Sequence, residues 1–242
     1  GQAFDSYSPV MLGERGCAVG GFRPMEDNTK YSGCCIVISG AGLALPMIYS
    51  AVSFDNAAVF NFYMNGSGEL NINGQNIGFE IETNYPADGA VKITLKDSFS
   101  GEIRLRIPEF SLNTRVVCGG KEYSPNAGEY FTVSGDWKKG DVILLDIDMN
   151  PRVIDSGADY FAVMYGPLVL ARDARISKVG EPVKMKNLTA EIKKIDSGSI
   201  NCRCLFDVKV GDSSFKMMDY ASAGKTWNEA SAFEAWIRKE MI

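Results

Sequence analysis

Two adjacent thiols, Cys34-Cys35, are the residues of this 242-residue sequence whose types and spacing most readily suggest chemistry. The thiolate is the nucleophilic and metal-binding form of cysteine, and neighbouring thiols can reach one soft cation. Zinc held there would lower a thiol pKa and create a nucleophile without a neighbouring base. Upstream, Glu14-Arg15-Gly16-Cys17 offers a carboxylate and a third thiol, so Glu14, Cys17, Cys34 and Cys35 together supply a four-ligand set. The same residues also have a plainer reading. Cys34 and Cys35 can be small hydrophobes heading a buried helix, with Glu14 solvated and Cys17 in a loop. Histidine occurs nowhere, which removes the Ser-His-Asp triad, the Cys-His dyad and every His-ligated metal site.

Other groups are less specific. Thirty acidic side chains include many that could pair for glycosidic acid–base work, but Glu80, Glu82, Asp146 and Asp148 fall on the polar side of alternating runs and read as solvated. Trp137, Trp227 and Trp236, with Tyr160, Phe161 and Tyr165, can stack on sugar rings or fill a core, and core packing is the commoner use. Cys202 and Cys204 share the apolar face of one strand, and Cys118 closes another. Adjacent and one-apart cysteines favour reduced thiols over a disulfide framework. Phosphate-loop, dinucleotide and calcium-loop patterns are absent. A net charge of -5 argues against a nucleic-acid partner.

The elements that must position these residues are mostly strands. Residues 1 to about 33 are turn-rich. An uncharged run from Cys34 to Phe54 approaches the length of a membrane span, yet Gly40, Gly42 and Pro46 interrupt it and no basic cluster flanks it. It reads as a buried helix or helix pair broken at Pro46, with no membrane partner. From residue 57 the period becomes two: Val91, Ile93 and Leu95 alternate with polar residues, as do Ile103, Leu105 and Ile107, and then Ile143, Leu145 and Ile147. Turn signals stand at Asn73-Gly74, Asp88-Gly89, Gly119-Gly120, Ser134-Gly135-Asp136 and Lys139-Gly140-Asp141. Tyr160 to Leu170 reads as one strand buried on both faces. Short strands are expected at 182–185 and 192–195, a longer one at 202–210, and a helical turn or last strand at 231–239. The fold class is mainly β, an antiparallel, jelly-roll-like sandwich. The expected division is 1–55 loop and apolar helix, 56–172 β-sandwich, and 173–242 a smaller C-terminal β region packing on or completing it. No secretory signal opens the sequence, so cytoplasmic, periplasmic and secreted locations all stay open.

The order of motifs also carries a resemblance. Cys34-Cys35 heading an apolar segment is followed by VFNFYMN, ETNYPADGAVKITL, EIRLRIPEF, GEYFTVSGDWKKGDVILLDIDM, YGPLVLARD and DYASAGKTWNEASAFEAWI. This succession resembles the C-terminal half of glycoside hydrolase family 127, the β-L-arabinofuranosidase-like proteins, from about residue 10 onward. The resemblance implies a catalytic (α/α)6 barrel followed by β-sandwich domains, with residues 1–55 the remnant of that barrel. It implies Cys34 as nucleophile and Cys35 as zinc ligand. The family's further Glu-x-Cys ligands lie well upstream in the barrel, and Glu14-x-x-Cys17 departs from that spacing.

Three functions follow as expectations. The first is an accessory sandwich region of a glycoside hydrolase acting on plant-type or bacterial glycans, inactive alone and partnered by the barrel or by carbohydrate. The second is a thiol–zinc glycosidase with Cys34 as nucleophile and Glu14, Cys17, Cys34 and Cys35 around zinc. The third is a carbohydrate-binding module. The apolar segment 36–54, lacking the barrel, is expected to cover the sandwich or to join two copies in a homodimer. A zinc site at these residues predicts stoichiometric metal in elemental analysis of protein purified without added zinc. The plain reading of the same residues predicts a content near zero.

Overall fold

Period-two runs become strands wherever one face can be buried. The computed structural model describes residues 23–24, 31–32, 47–211, 213–224 and 232–241. Two-residue strands β1 (Arg23–Pro24) and β2 (Tyr31–Ser32) pair antiparallel. Then come β3 (Ala51–Phe54), β4 (Ala57–Phe60), β5 (Gly66–Ile72), β6 (Gln75–Thr83), β7 (Ala90–Leu95), β8 (Phe99–Arg106), β9 (Arg115–Cys118), β10 (Lys121–Tyr123), β11 (Tyr130–Trp137) and β12 (Val142–Asp146). The rest are β13 (Pro151–Asp155), β14 (Tyr160–Tyr165), β15 (Leu168–Asp173), β16 (Val183–Met185), β17 (Ala190–Ile195), β18 (Leu205–Val210), β19 (Ser213–Asp219), β20 (Phe233–Glu234) and β21 (Ile237–Met241). The protein is mainly β, and among the described residues no helix is long and apolar enough to cross a membrane.

The chain divides into two compact units, residues 42–150 and residues 151–242 with 1–41. The division expected at 172 falls inside β15.

The first unit is a sandwich of a six-stranded sheet, β10-β9-β12-β7-β6-β5, and a four-stranded sheet, β11-β8-β4-β3. All pairs are antiparallel except β4 with β8. Alternation sets its core. Val91, Ile93 and Leu95 of β7, Ile103 and Leu105 of β8, and Ile143 and Leu145 of β12 are buried, and Ile147 and Met149 continue the last run. Phe60 of β4 meets Phe79 of β6 edge to face, with ring centroids 5.2 Å apart. Each such side chain contributes roughly 1.5–3 kcal/mol on burial.

Turn chemistry fixes the registers. Asn73 and Gly74 both have positive φ, 52° and 82°, as a two-residue hairpin requires, and Asn71 Oδ1 accepts the Gly74 N–H at 3.1 Å. Lys139-Gly140-Asp141 forms its turn too, with Lys138 N–H donating to Asp141 Oδ2 at 2.8 Å. Ser134-Gly135-Asp136 does not turn; it lies within β11, with Gly135 opposite Gly101 of β8. The indole N–H of Trp137 donates to the Gly101 carbonyl at 3.1 Å, and a Cβ at Gly135 would lie 3.8 Å from the indole ring, an ordinary contact distance.

The apolar segment also departs from expectation. Residues 51–54 are the strand β3, hydrogen-bonded to β4, and not helix. A two-residue helical turn at Met47 and Ile48 is the described end of the expected helix, and both side chains are well exposed. Residues 36–46 lie outside the described residues.

The second unit is a nine-stranded sheet. Its path is β16-β21-β14-β15-β19-β18-β17, with β13 added on β14 and β20 on β15. The run 160–170 is not one strand: Gly166, at φ 53°, with Pro167 folds it into the β14–β15 hairpin, Tyr165 opposite Leu168. Strands at 183–185 and 190–195 match the sequence reading, and 231–239 resolves into strand, as β20 and β21. The 202–210 run begins its strand at Leu205, preceded by buried Cys204 and half-buried Cys202.

Gly89 exposes the tightest backbone constraint. A Cβ there would fall 1.9 Å from the Ile147 carbonyl oxygen, while Ile147 N–H donates to the Gly89 carbonyl at 2.9 Å. Gly89→Ala should therefore destabilise the sandwich by about 3 kcal/mol or more. Urea denaturation followed by tryptophan fluorescence checks this, because Trp137 belongs to the same core.

Candidate functional site

Glu14, Cys17, Cys34 and Cys35, the residues that sequence chemistry singles out, lie outside the described residues. Among the described residues, no group of three or more Cys, Asp or Glu side chains is placed to hold a metal ion. Of the described cysteines, Cys118 is buried and its thiol is pushed up by desolvation, Cys204 is buried, and Cys202 is half-buried.

The acidic residues of the alternating runs face solvent. Glu82 pairs with Lys92 at 2.6 Å, and Glu80 pairs closely with Lys96 across the sheet. The hydrogen bond from Lys96 holds the Glu80 carboxyl below its ordinary range, the wrong direction for a general acid. This outer face forms one wall of a shallow cleft of about 820 Å³, which Glu82, Asp88, Lys92, Arg115 and Asp146 line without any aromatic ring.

Aromatic side chains divide between core and surface. Trp137 and Phe161 are buried, and Tyr165 packs on Phe206 with centroids 4.8 Å apart. Trp236 is half exposed, and Trp227 lies outside the described residues. In the sandwich unit, Tyr130 donates its hydroxyl to Asn61 Oδ1 at 2.5 Å, and Asn61 in turn donates to the Tyr49 carbonyl. The Arg106 guanidinium lies 5.9 Å from the Phe62 ring centroid. Tyr63 donates to the Arg106 carbonyl at 2.8 Å, and burial pushes its phenol far above the ordinary tyrosine value. These rings shape one region of the sandwich surface, with Tyr49, Phe62 and Tyr130 partly exposed.

The second unit buries charges that no local sequence pattern pairs. Asp173 is fully buried; Arg175 donates to both its oxygens at 2.7 and 2.8 Å, and Gly224 N–H adds a bond at 2.8 Å. Asp219 accepts the N–H groups of Arg203 and Cys204. Nearby, Arg172 of β15 and Glu234 of β20 form an ion pair with side chains 5% and 3% exposed. Arg172 also donates to the Glu181 carbonyl at 2.7 Å, and Gly180 N–H donates to Glu234 Oε1 at 3.0 Å. Even so, Arg172 Nε and Glu234 Oε2 have no partner. Burial lowers the Arg172 pKa and raises that of Glu234, each against the pull of the other. A signal for both was present: Arg172-Asp173 ends an apolar run, and Glu234 sits between Phe233 and Ala235.

This arrangement defines a mainly β protein whose described polar clefts lie on sheet surfaces and loops. Residues 58–149 match the family model of the beta-L-arabinofuranosidase GH127 middle domain, a stretch that falls within the sandwich unit. No curated protein matches. Among solved structures, a GH127 beta-L-arabinofuranosidase from Geobacillus stearothermophilus T6 aligns at TM-score 0.65 and 17% identity, over 86% of this chain and 38% of that one. A GH127 beta-arabinofuranosidase aligns at TM-score 0.64 and 17% identity, over 86% of this chain and 39% of its own. A further glycoside hydrolase aligns at 0.66 and 18% identity, over 87% and 41%. The chain thus spans about two-fifths of the length of these structures. Residues 58–149 are thus similar to the GH127 middle domain, and the chain shares its fold with part of these glycoside hydrolase structures.

The Arg172–Glu234 pair yields a direct stability test. Glu234→Leu leaves the Arg172 charge buried and uncompensated and should cost about 3–5 kcal/mol. The double change Arg172→Met/Glu234→Leu removes both desolvated charges and should return stability to the wild-type value or above it. Chemical denaturation of the two variants beside the wild type checks both.

Proposed function

We propose that this chain is the accessory β region of a GH127-type glycoside hydrolase, whose catalytic groups are supplied by sequence beyond it. The observation that carries this reading is the coincidence of the GH127 middle-domain match, 58–149, with strands of one self-contained sandwich. The chemistry of the described residues supports it. Glycoside hydrolysis uses two carboxyl groups, or a nucleophile and an acid, facing each other across one bond. Glu80 and Glu82 are instead paired with surface lysines, and the carboxyl raised by burial, Glu234, faces Arg172 and not a second acid. The substrate class proposed for the full enzyme is an arabinose-containing glycan, in line with the beta-L-arabinofuranosidase relatives of the same fold.

In this role the sandwich supplies a rigid neighbour that holds the shape of the catalytic part. Support of that kind needs close packing and satisfied backbone bonds more than reactive side chains. The expected result for the isolated chain is no release of p-nitrophenol from p-nitrophenyl β-L-arabinofuranoside above that of its Cys34→Ala variant. Turnover that disappears in Cys34→Ala would overturn this reading in favour of a thiol enzyme built on Cys34, Cys35, Cys17 and Glu14.

A further inference from the structure

A cleft of about 530 Å³ opens in the second unit where the end of β15, the loop after it and the first half of β19 come together. Its volume lies within the range of roughly 300–1,000 Å³ typical of small-molecule sites. Arg172, Ser177, Glu181, Asp207, Phe215 and Lys216 are among its lining residues.

The charges in this cleft are engaged with one another. Lys216 Nζ lies 2.8 Å from Asp207 Oδ1, Lys178 Nζ lies 3.5 Å from Glu181 Oε1, and Arg172 is paired with Glu234. A phosphate or uronate would have to displace a carboxylate from each cation it met. A neutral hydroxyl meets no such obstacle, because it can donate to the carboxylate of an ion pair while accepting from the ammonium. The lining therefore favours a neutral, hydroxyl-rich ligand over an anion.

Two further features point the same way. Phe215 provides a half-buried ring, and the Arg172 guanidinium lies over it, 5.1 Å from its centroid. Aromatic rings beside hydroxyl-binding groups are the usual furniture of a sugar subsite, since the apolar C–H face of a saccharide packs on the ring. Arg172, whose side chain is 5% exposed, also lines this cleft, and its buried Nε–H has no hydrogen-bond partner. Buried donors are ordinarily satisfied, and an oxygen acceptor is what this one lacks. The loop after β15 is fixed to β19: Ser177 Oγ donates to the Lys216 carbonyl and accepts the Lys216 N–H, both at 2.8 Å.

We propose that the cleft bounded by Arg172, Ser177, Phe215 and Lys216 is a binding subsite for a neutral saccharide of one or two rings. This does not depend on whether the chain hydrolyses glycosides, so failure of one proposal leaves the other standing. The test is titration of the intact, isotope-labelled chain, followed by amide NMR shifts, with L-arabinose, arabinobiose and galactose, and separately with galacturonate and inorganic phosphate. The neutral sugars should shift the amides of Ser177, Ser214, Phe215 and Lys216. Ser214→Trp, at an exposed position of the wall, should abolish those shifts while the rest of the spectrum stays folded. Lys178→Ala, a surface change, should weaken binding several-fold. Neutral sugars that leave these amides unmoved would overturn the proposal. So would shifts that persist in Ser214→Trp, or galacturonate or phosphate binding at the cleft as tightly as the neutral sugars.

Discussion

One face of a six-stranded sheet and one face of a four-stranded sheet must be hidden from water together, and the first unit is organised around that need. The edge-to-face contact of Phe60 with Phe79 marks where the two faces meet, but ring geometry is the smaller effect. It adds about 0.5–1.5 kcal/mol beyond area burial, against roughly 1.5–3 kcal/mol for each of the many aliphatic side chains buried around it. The alternation of Val91, Ile93 and Leu95 with Lys92 and Thr94 settles which face turns inward, and a slip of one residue would exchange the two. What remains outside is the carboxylate and lysine carpet of β6 and β7. The same pattern that builds the core therefore places Glu80 and Glu82 in solvent, where their partners are lysines and their acid–base value is low.

The second unit meets a different constraint, because it buries charge. Asp173 shows how that is done at low cost: both oxygens are satisfied by Arg175, and Gly224 adds a backbone donor. Arg172 and Glu234 are held less completely, each with one atom unpartnered. A buried pair of this kind contributes little net stability, since desolvation offsets its attraction, although breaking it is expensive. The pair joins β15 to β20, two strands otherwise linked by a ladder of only Arg172–Glu234 and Asp173–Phe233.

Much of this was legible in the sequence, and the failures have physical reasons. Strands β7, β8 and β12 follow directly from alternation, and the Asn73-Gly74 hairpin from the one local conformation those residues readily share. Ser134-Gly135-Asp136 has turn chemistry but is extended, because Gly135 stands opposite Gly101 beneath Trp137; that tertiary fact lies thirty-odd residues away in the chain. The run 160–170 is apolar throughout, so periodicity could not reveal that Gly166 and Pro167 cut it in two. Residues 51–54 carry no period and became a strand by pairing with β4. The site was harder. Arg172 and Glu234 meet only through the folding of β15 against β20, and nothing local to either residue names the other. Cys17, Cys34 and Cys35 stand out by their chemistry and by the family resemblance, and they lie outside the described residues.

The central claim is that the sandwich unit is a self-supporting scaffold whose order derives from the buried faces of β4, β6, β7, β8 and β12. Amide hydrogen exchange of the intact chain tests it most directly, since slow exchange reports the strands that open only with the whole unit. The account predicts that the amides of these five strands exchange slowest and as one group, with β3, β5 and β10 at the sheet edges exchanging faster. Rapid exchange across β6, β7 and β8, or protection confined to the edges, would contradict it.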